Sequence, residues 1–333
     1  MLKNISHFIA AAALGLMLAG CGKSERTQAY TTMEGSVWHT TMHITYGSER
    51  DLSDNIMAVT DSVELSLSPF ISYSHISAIN RNENMQVDDY ITQVFDESVR
   101  INRLSGGAFD PTVAPLINLW GFGYENGDGE PDEAAIDSCL TLTGIDRCRI
   151  EDGVMVKKAP GTQFNFSAIT KGFGIDCLAA MLRGEGIDNY MVEIGGEVAV
   201  SGVNPRGDKW RIQIDSPESD KTSHERLAVI EVTDCCLATS GNYRNYRDTE
   251  HGRVGHTISP VTGRPVASNV LSATVIAPTA MTADALATAL MAMDADAGIA
   301  MIESQPDVDA MLVIAAGDTL TTLTTSTFPT IIR

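Results

Sequence analysis

The segment that most constrains the fold of this chain covers residues 165–196. Apolar residues recur there at spacings of two to four, which predicts a helix over 172–183. Two glycines end that helix, and the following residues predict a buried strand over 190–194 that stops at a Gly-Gly turn. Lys171 lies in the first turn of the helix, where unpaired backbone N–H groups and the helix dipole attract anions. It is therefore a candidate partner for a phosphate or a carboxylate, with an ordinary surface lysine as the alternative.

Composition narrows the class of protein. A hydrophobic content of 44% with 20% charged residues is typical of a globular chain rather than a disordered one. The net charge of −20 argues against a nucleic-acid partner, because binding a phosphate backbone needs a basic face. A phosphorylated ligand stays open, since one lysine and a divalent metal could hold it locally.

The first twenty residues resemble a bacterial lipoprotein signal peptide. An apolar run over 8–18, too short to span a bilayer comfortably, leads into Leu18-Ala19-Gly20-Cys21. This resembles a lipobox, which implies cleavage before Cys21 and lipidation of that cysteine; an ordinary secretory peptide with an incidental cysteine is the alternative. Lipidation would anchor the protein to a membrane of the bacterial cell envelope, on the extracytoplasmic (periplasmic) side, without a spanning helix. Residues 21–31 are then predicted to form a tether, and residues 32–333 the folded domain.

Six cysteines less Cys21 leave five, and an odd number cannot pair completely within one chain. Their spacing matches no zinc-binding pattern. A disulfide between Cys139 and Cys148 is an option in an oxidising compartment. Buried free thiols are expected for the other three.

Strands and helices are predicted to alternate irregularly along the chain. Without a regular βαβ rhythm, the pattern favours an α+β fold over a doubly wound parallel sheet. The predicted strands are 37–46, 190–194, 197–203, 210–215, 227–233 and 271–276, with two or three more within 309–332. The predicted helices are 52–67, a short one ending near residue 80, 90–105, 172–183 and 282–293.

Asp284 and Thr288 are the first candidates for metal chemistry. They are four residues apart on the predicted helix over 282–293 and therefore face the same way. A carboxylate and a hydroxyl on one face could supply two oxygen ligands to Mg²⁺. The alternative is structural: Asp284 would help to cap its own helix and Thr288 would bond back to a carbonyl.

His256 is the candidate general base. It lies beside a turn rich in proline and glycine, which could aim its ring into a cleft to deprotonate a hydroxyl nucleophile. A structural histidine is the alternative. The sequence has no G-x-S-x-G elbow, Walker lysine loop or H-E-x-x-H motif, which excludes serine hydrolases, P-loop enzymes and zincins of those types.

Six motifs in this order resemble the ApbE family of FAD:protein FMN transferases: SGGAFDPTV, SAITKGFGID, EIGGEV, ATSGNY, HTISPVTGRP and TADALATAL. The resemblance runs from about Thr32 to the C-terminus. It implies a single α+β, T-fold-related domain with a cleft for FAD, the substrate, and a Mg²⁺-dependent cleavage of the FAD pyrophosphate. FMN would be esterified through its phosphate to a threonine hydroxyl of a target protein, and AMP would leave. The target would be an Nqr- or Rnf-type electron-transfer subunit or a protein with an FMN-binding domain.

Carried over to matching positions, the resemblance also implies roles for individual residues. His256 would be the base on the acceptor threonine, and Asp284 would be catalytic as a metal ligand. The implied metal site comprises Asp284, Thr288, the Ala168 carbonyl and, close by, Ala287. The implied FAD contacts are Trp38, Phe70, Ala108, Phe109, Asp110, Asn165, Lys171, His256 and Ile258.

Three positions depart from the family pattern. Asn165 stands where the family usually has aspartate, Trp38-His39-Thr40-Thr41 replaces a common M-G-T-T, and Phe70 replaces a tyrosine or tryptophan expected against the flavin. These changes concern the adenine and isoalloxazine contacts more than the metal site.

Three functions from different classes follow. The favoured one is the flavin transferase. The second is a Mg²⁺-dependent FAD pyrophosphatase, in which water replaces the threonine hydroxyl and FMN and AMP are released. The third is a non-catalytic flavin-binding lipoprotein, which would not need a metal site beside a pyrophosphate.

Overall fold

The structure is a computed structural model that describes residues 28–125, 130–217, 225–241, 246–249, 252–317 and 319–332. The predicted signal peptide and the lipidation site at Cys21 lie outside these residues. The strands and helices follow in chain order: β1 (Thr31–Val37), β2 (Thr40–Tyr46), α1 (Ser53–Leu67), α2 (His75–Asn80), α3 (Asp89–Leu104), α4 (Ala114–Leu119), α5 (Glu133–Leu142), β3 (Cys148–Glu151), β4 (Val154–Lys157), α6 (Thr170–Gly184), β5 (Tyr190–Ile194), β6 (Glu197–Ser201), β7 (Trp210–Asp215), β8 (Arg226–Val232), β9 (Cys235–Gly241), β10 (Tyr246–Thr249), β11 (Gly252–Gly255), β12 (Val270–Ala277), α7 (Ala280–Met291), α8 (Ala295–Glu303), β13 (Asp309–Ala316), β14 (Thr319–Thr324) and β15 (Ile331–Ile332).

An eight-stranded antiparallel sheet, in the order β1-β2-β5-β6-β9-β12-β13-β14, forms the middle layer. Helices α6 and α7 pack on one of its faces, where Leu178 and Leu286 are fully buried. The three-stranded sheet β15-β8-β7 covers the other face, and its Trp210 and Ile230 pack against Val198 of β6. Strands β6, β9 and β12 are therefore covered on both sides, which explains why burial is nearly continuous along β6 and β12 and why residues 236–238 of β9 are buried in succession. The α+β prediction is confirmed.

The first predicted strand, over 37–46, is wrong in one respect: it contains a turn. Trp38 and His39 both have positive φ, at 49° and 62°, and join β1 to β2 as a two-residue hairpin. Such a turn normally uses Asn-Gly, so the sequence carries no turn signal here. Tertiary contacts support it, because the Trp38 indole donates to the Thr60 carbonyl at 3.3 Å and lies against Gly174 of α6. A Cβ at position 174 would overlap that ring.

The folded region also begins earlier than predicted. The predicted tether is 21–31, yet β1 starts at Thr31 and two residues before it are bound to the domain. The Tyr30 hydroxyl donates to the Val203 carbonyl at 2.7 Å, and Gln28 bonds both Gly47 and Asn189 at 2.8 Å. Any tether therefore ends at or before Gln28.

All five cysteines of the described region carry free thiols. Cys139 and Cys148, the pair considered for a disulfide, are therefore not bonded. Burial raises the pKa of the Cys148 thiol to about 11 and that of Cys177 to about 12, so both stay protonated and unreactive near neutral pH.

Candidate active site

One cavity of about 430 Å³ collects most of the residues that the sequence singled out. It lies where α6 begins, beside the end of β9 and the middle of α7. Its lining includes the predicted site residues Phe70, Ala108, Phe109, Asp110, Asn165, Ala168, Lys171, His256, Ile258, Asp284 and Thr288. Glu197, Thr239, Ser240 and Gly241 also line it.

Helices α6 and α7 approach closely at Gly172, the third residue of α6. A Cβ there would overlap the backbone carbonyl of Ala280, so only glycine allows this separation. The Gly172 N–H donates to Asp284 Oδ2 at 3.1 Å. The glycine after Lys171 thus fixes the carboxylate of α7 against the N-terminus of α6, where the helix dipole favours negative charge.

The start of α7 is firmly bonded. Asp176 of α6 accepts hydrogen bonds from the Ala280 and Met281 N–H groups at 2.8 and 2.9 Å. Thr279 is the N-cap and accepts from the Thr282 N–H at 3.2 Å. These contacts satisfy the donors that a helix start leaves unpaired, and they set the rotation of α7 about its axis.

Asp284 and Thr288 do not have the local roles considered as alternatives. Asp284 is 3% exposed and accepts from another helix rather than capping its own. The Thr288 hydroxyl lies 3.3 Å from the Ser240 hydroxyl of β9 and so has a partner outside its own helix. Both side chains face the cavity, as the four-residue spacing predicts.

Lys171 forms an ion pair with Glu197, the first residue of β6. Sequence reasoning missed Glu197 as a site residue, although it lies in the EIGGEV motif. A signal is present: a carboxylate stands directly before a run of apolar strand residues, and such a residue is rarely buried without a partner. Glu197 is 4% exposed, and the side chain of Lys171 is one-third exposed.

The charges of this group shift one another. Burial raises the pKa of the Glu197 carboxyl to about 7, against the opposing effect of Lys171. Burial also raises the pKa of Asp284, although Lys171 and the Gly172 N–H favour its ionised form. Burial by itself lowers the pKa of Lys171, but the charges of Glu197 and Asp284 and the bond to Glu197 hold it above its usual value. Lys171 is therefore a cation near neutral pH, beside two carboxyl groups whose ionised forms it favours.

Two residues predicted to bind FAD are already engaged with the protein. Asp110 Oδ1 accepts from the Thr112 N–H at 2.8 Å, and its Oδ2 accepts from the Ile145 N–H at 3.0 Å. Asn165 Oδ1 accepts from the Ser167 N–H at 2.9 Å. Both side chains line the cavity, and both also fix the local backbone on which the cavity wall depends.

Aromatic rings stand on two sides of the cavity. Phe70, 56% exposed, makes an edge contact with Tyr124 at 6.1 Å between ring centroids. The His256 ring lies 6.5 Å from that of Phe122, also edge to face. A hydrogen bond holds the segment that follows His256 in place: the Trp120 indole donates to the Gly263 carbonyl at 2.8 Å.

Trp38 and Ala287 are not among the residues that line the cavity. Trp38 packs on α6 through Gly174, as described above. Ala287 is fully buried in the core cluster below α7. The roles that the resemblance implies for these two positions have no support from their placement in the described structure.

The donor set at Asp284 suits a magnesium ion. Within the described residues no three His, Cys, Asp or Glu side chains cluster as a metal-binding group. Magnesium does not need one, since it is commonly held by one or two carboxylates, with water and substrate phosphates completing the shell. One buried carboxylate with hydroxyls from Thr288 and Ser240 fits that chemistry better than zinc, which prefers nitrogen and sulfur ligands.

Comparison with known proteins gives consistent matches. The model of the ApbE family matches residues 35–312. The FAD:protein FMN transferase of Vibrio cholerae is 36% identical over 332 residues, covering 97% of this chain and 98% of the relative. That of Haemophilus influenzae is 32% identical over 345 residues, covering 98% of each chain. Among solved structures, the flavin transferase ApbE from Vibrio cholerae superposes with a TM-score of 0.81 at 34% identity, over 90% of this chain and 98% of that one.

Proposed function

This chain belongs to the ApbE family, and on that premise we propose that its cavity transfers FMN from FAD to a threonine hydroxyl of an acceptor protein. The observation that carries the proposal is the meeting of Asp284, Thr288, Lys171 and His256 in one cavity. These residues come from separate parts of the chain, and a binding protein for an organic ring would not need them together.

The transfer forms one bond and breaks one. The acceptor oxygen forms a bond to the phosphorus of the FMN half, and the bond from that phosphorus to the bridging oxygen breaks. AMP leaves with the bridging oxygen, and the hydroxyl proton passes to His256 Nδ1 or Nε2 as the base. Lys171 provides fixed positive charge for the phosphate oxygens, whose negative charge would otherwise oppose the attack.

Asp284, Thr288 and the Ala168 carbonyl are the proposed ligands of Mg²⁺. When bound, the ion supplies charge neutralisation for the pyrophosphate. The chain's own contribution is orientation: Gly172 fixes one oxygen of Asp284, and Ser240 lies beside the Thr288 hydroxyl.

The test is an incubation of the full chain, purified in mild detergent, with FAD, Mg²⁺ and an acceptor domain that carries a threonine. We expect the acceptor mass to rise by one FMN, with AMP as the other product and no rise when a chelator is present. Free FMN and AMP with an unmodified acceptor would favour the pyrophosphatase instead. No turnover of FAD would favour a binding protein.

Two variants make this test specific. Asp284→Asn should lower transfer by a factor of about a hundred or more while far-UV circular dichroism is unchanged, because one carboxylate charge is lost at the metal site. Glu231→Gln on β8, which breaks an exposed ion pair with Arg211 of β7, is the matched control and should transfer at the wild-type rate. A fully active Asp284→Asn would remove the metal site from the proposal.

We also propose that the acceptor is an Nqr- or Rnf-type subunit or a protein with an FMN-binding domain, and that Cys21 is lipidated. Support for the anchor is the sequence Leu18-Ala19-Gly20-Cys21. In the described part of the chain, no helix is both long and apolar enough to cross a membrane. Labelling with a fatty-acid analogue should modify the wild-type chain and spare Cys21→Ser; equal labelling of both would contradict lipidation at this residue.

A further inference from the structure

The ammonium group of Lys171 lies in the same cavity as two buried carboxylates, those of Glu197 and Asp284. Lys171 forms its ion pair with Glu197, and it lines the same cavity as Asp284, whose carboxylate accepts from the N–H of the next residue, Gly172. Asp284 uses Oδ2 on the Gly172 N–H, which leaves Oδ1 for other contacts. Without Glu197, Asp284 would be the carboxylate with the strongest remaining attraction for the Lys171 ammonium, ahead of Glu193.

Burial of the Glu197 carboxylate does not by itself stabilise the fold. One of its oxygens, Oε2, is fully buried and has no hydrogen-bond partner in the described structure. An unpaired buried carboxylate oxygen costs free energy of folding. Lys171, one-third exposed, could be solvated without Glu197. The ion-pair partner of this carboxylate is Lys171, so we look for its role in what it does to that ammonium group.

We propose that Glu197 is a positioning residue that holds Lys171 away from Asp284, so that the Asp284 carboxylate stays available to a divalent cation. The inference rests on the proposed function, in which Asp284 is a metal ligand. A carboxylate that is already paired with an ammonium group binds a cation more weakly, because the cation must displace that partner. Glu197 removes the competitor without itself being a ligand.

A binding titration tests this directly, with Mn²⁺ alone as the probe. Free Mn²⁺ is measured by electron paramagnetic resonance as the full chain, in mild detergent, is titrated. Four forms are compared: wild type, Glu197→Gln, Lys171→Met and the double variant. Glu231→Gln again serves as the control for loss of a glutamate charge at a distance.

We expect Glu197→Gln to weaken Mn²⁺ binding by about tenfold, a coupling of the size found between close charged groups. In the Lys171→Met background the same change should alter the dissociation constant by less than about twofold, because no ammonium remains to compete for Asp284. The loss therefore depends on Lys171, which distinguishes positioning from a general electrostatic effect.

Other results would overturn the inference. An equal loss in both backgrounds would make Glu197 a cation ligand or a source of attractive charge. No loss in either background would make the ion pair irrelevant to the metal. Should Glu197→Gln not fold, Glu197→Asp keeps the charge but withdraws it by one methylene, and it should give a smaller loss that again disappears with Lys171→Met.

Failure of the proposed function would look different. If Asp284→Asn binds Mn²⁺ as well as wild type does, the metal site itself is misassigned, and both the proposal and this inference fall. If Asp284→Asn loses Mn²⁺ binding while Glu197→Gln keeps it, only the inference falls.

Discussion

Individual residues of this chain occupy positions that their chemistry alone would not favour. His39 is the clearest, with a φ of 62° in an exposed turn. Non-glycine residues lose about 1 kcal/mol in the left-handed region relative to their preferred conformations. The Trp38 ring against Gly174 holds the hairpin in place and so allows His39 its conformation.

His39→Gly should therefore raise the free energy of unfolding by up to about 1 kcal/mol, since glycine adopts positive φ without steric cost. Urea denaturation monitored by tryptophan fluorescence measures it. His43→Gly is the matched control in β2, where glycine should destabilise because the strand needs a side chain and the bond to Glu193 is lost. A loss of stability in His39→Gly would mean that its side chain makes a contribution larger than the strain.

Titration of Asp176 makes the free energy of unfolding depend on pH. Burial raises the pKa of its carboxyl to about 6, although the Met281 and Ala280 N–H groups favour the ionised form. The unfolded chain ionises this group near its ordinary value of 3.8, so the folded state holds the proton more tightly. The tighter proton binding by the folded state adds to the free energy of unfolding. This contribution is complete below pH 3.8 and is lost as the pH rises through about 6.

The free energy of unfolding of wild type minus that of Asp176→Asn should thus fall by about 1 kcal/mol between about pH 5 and about pH 7.5. The asparagine variant does not titrate and provides the baseline. Urea denaturation of both forms at the two pH values measures the difference. A difference that stays constant would mean that the pKa of Asp176 is not raised.

At the scale of elements, the site depends on how closely α6 and α7 approach. Their contact at Gly172 allows the backbone of one helix to bond the carboxylate of the other. Any added atom at that position must push the helices apart, and the Asp284 bond would lengthen with them.

Gly172→Ala should cost about 2–3 kcal/mol of folding free energy, as overpacking of a tight contact does. It should also weaken Mn²⁺ binding, because Asp284 loses its fixed orientation. Gly184→Ala is the control in the same helix: a methyl group added there would meet no atom within 4 Å, and alanine should be neutral or stabilising. If Gly172→Ala is as stable as wild type, the helices have more freedom than this packing implies.

Elements with strong local signals are predictable from sequence, and others are not. Helix α6, predicted over 172–183, covers Thr170–Gly184, because its apolar periodicity is strong. Strand β7 has the predicted bounds. Helix α5 escapes sequence analysis because only Ile136 of its residues is buried, so it has little amphipathic pattern. The β3–β4 hairpin escapes it too, although Asp152-Gly153 is a typical turn pair with positive φ at both residues.

The candidate site shows the same division. The spacing of Asp284 and Thr288 on one helix face is a local property that the sequence reveals. The apolar run after Glu197 indicates that this carboxylate is buried, but its pairing with Lys171 depends on β6 lying next to the start of α6, a tertiary relation that no local pattern encodes. Asp176 is similar, since its hydrogen-bond partners lie 104 and 105 residues away in sequence.

At the scale of the whole molecule, the net charge of −20 acts against folding. Like charges on a compact surface repel, and salt screens that repulsion. The surface ion pairs that salt would also weaken, such as Arg50–Glu185 and Arg149–Glu151, are exposed and contribute little.

The melting temperature should therefore rise by about 2–4 °C when NaCl is increased from about 20 to about 300 mM, corresponding to roughly 1 kcal/mol for a chain of this size. Differential scanning fluorimetry with a chelator present measures it without a contribution from divalent cations. Sucrose at matched osmolality is the control for general exclusion effects. A melting temperature that falls with NaCl would mean that attractive ion pairs outweigh the repulsion.

The single lysine between two carboxylates has a thermodynamic consequence for the order in which ligands arrive. With Glu197 and Asp284 both ionised, the three side chains together carry one surplus negative charge, and a dinucleotide adds more through its pyrophosphate. If the cavity binds a divalent cation as proposed, cation and dinucleotide are linked ligands: each should raise the affinity of the other by the same factor, as reciprocity of binding free energies requires. Such a cavity would bind FAD weakly when divalent cations are scarce. It would bind FAD tightly only when the cation is bound as well.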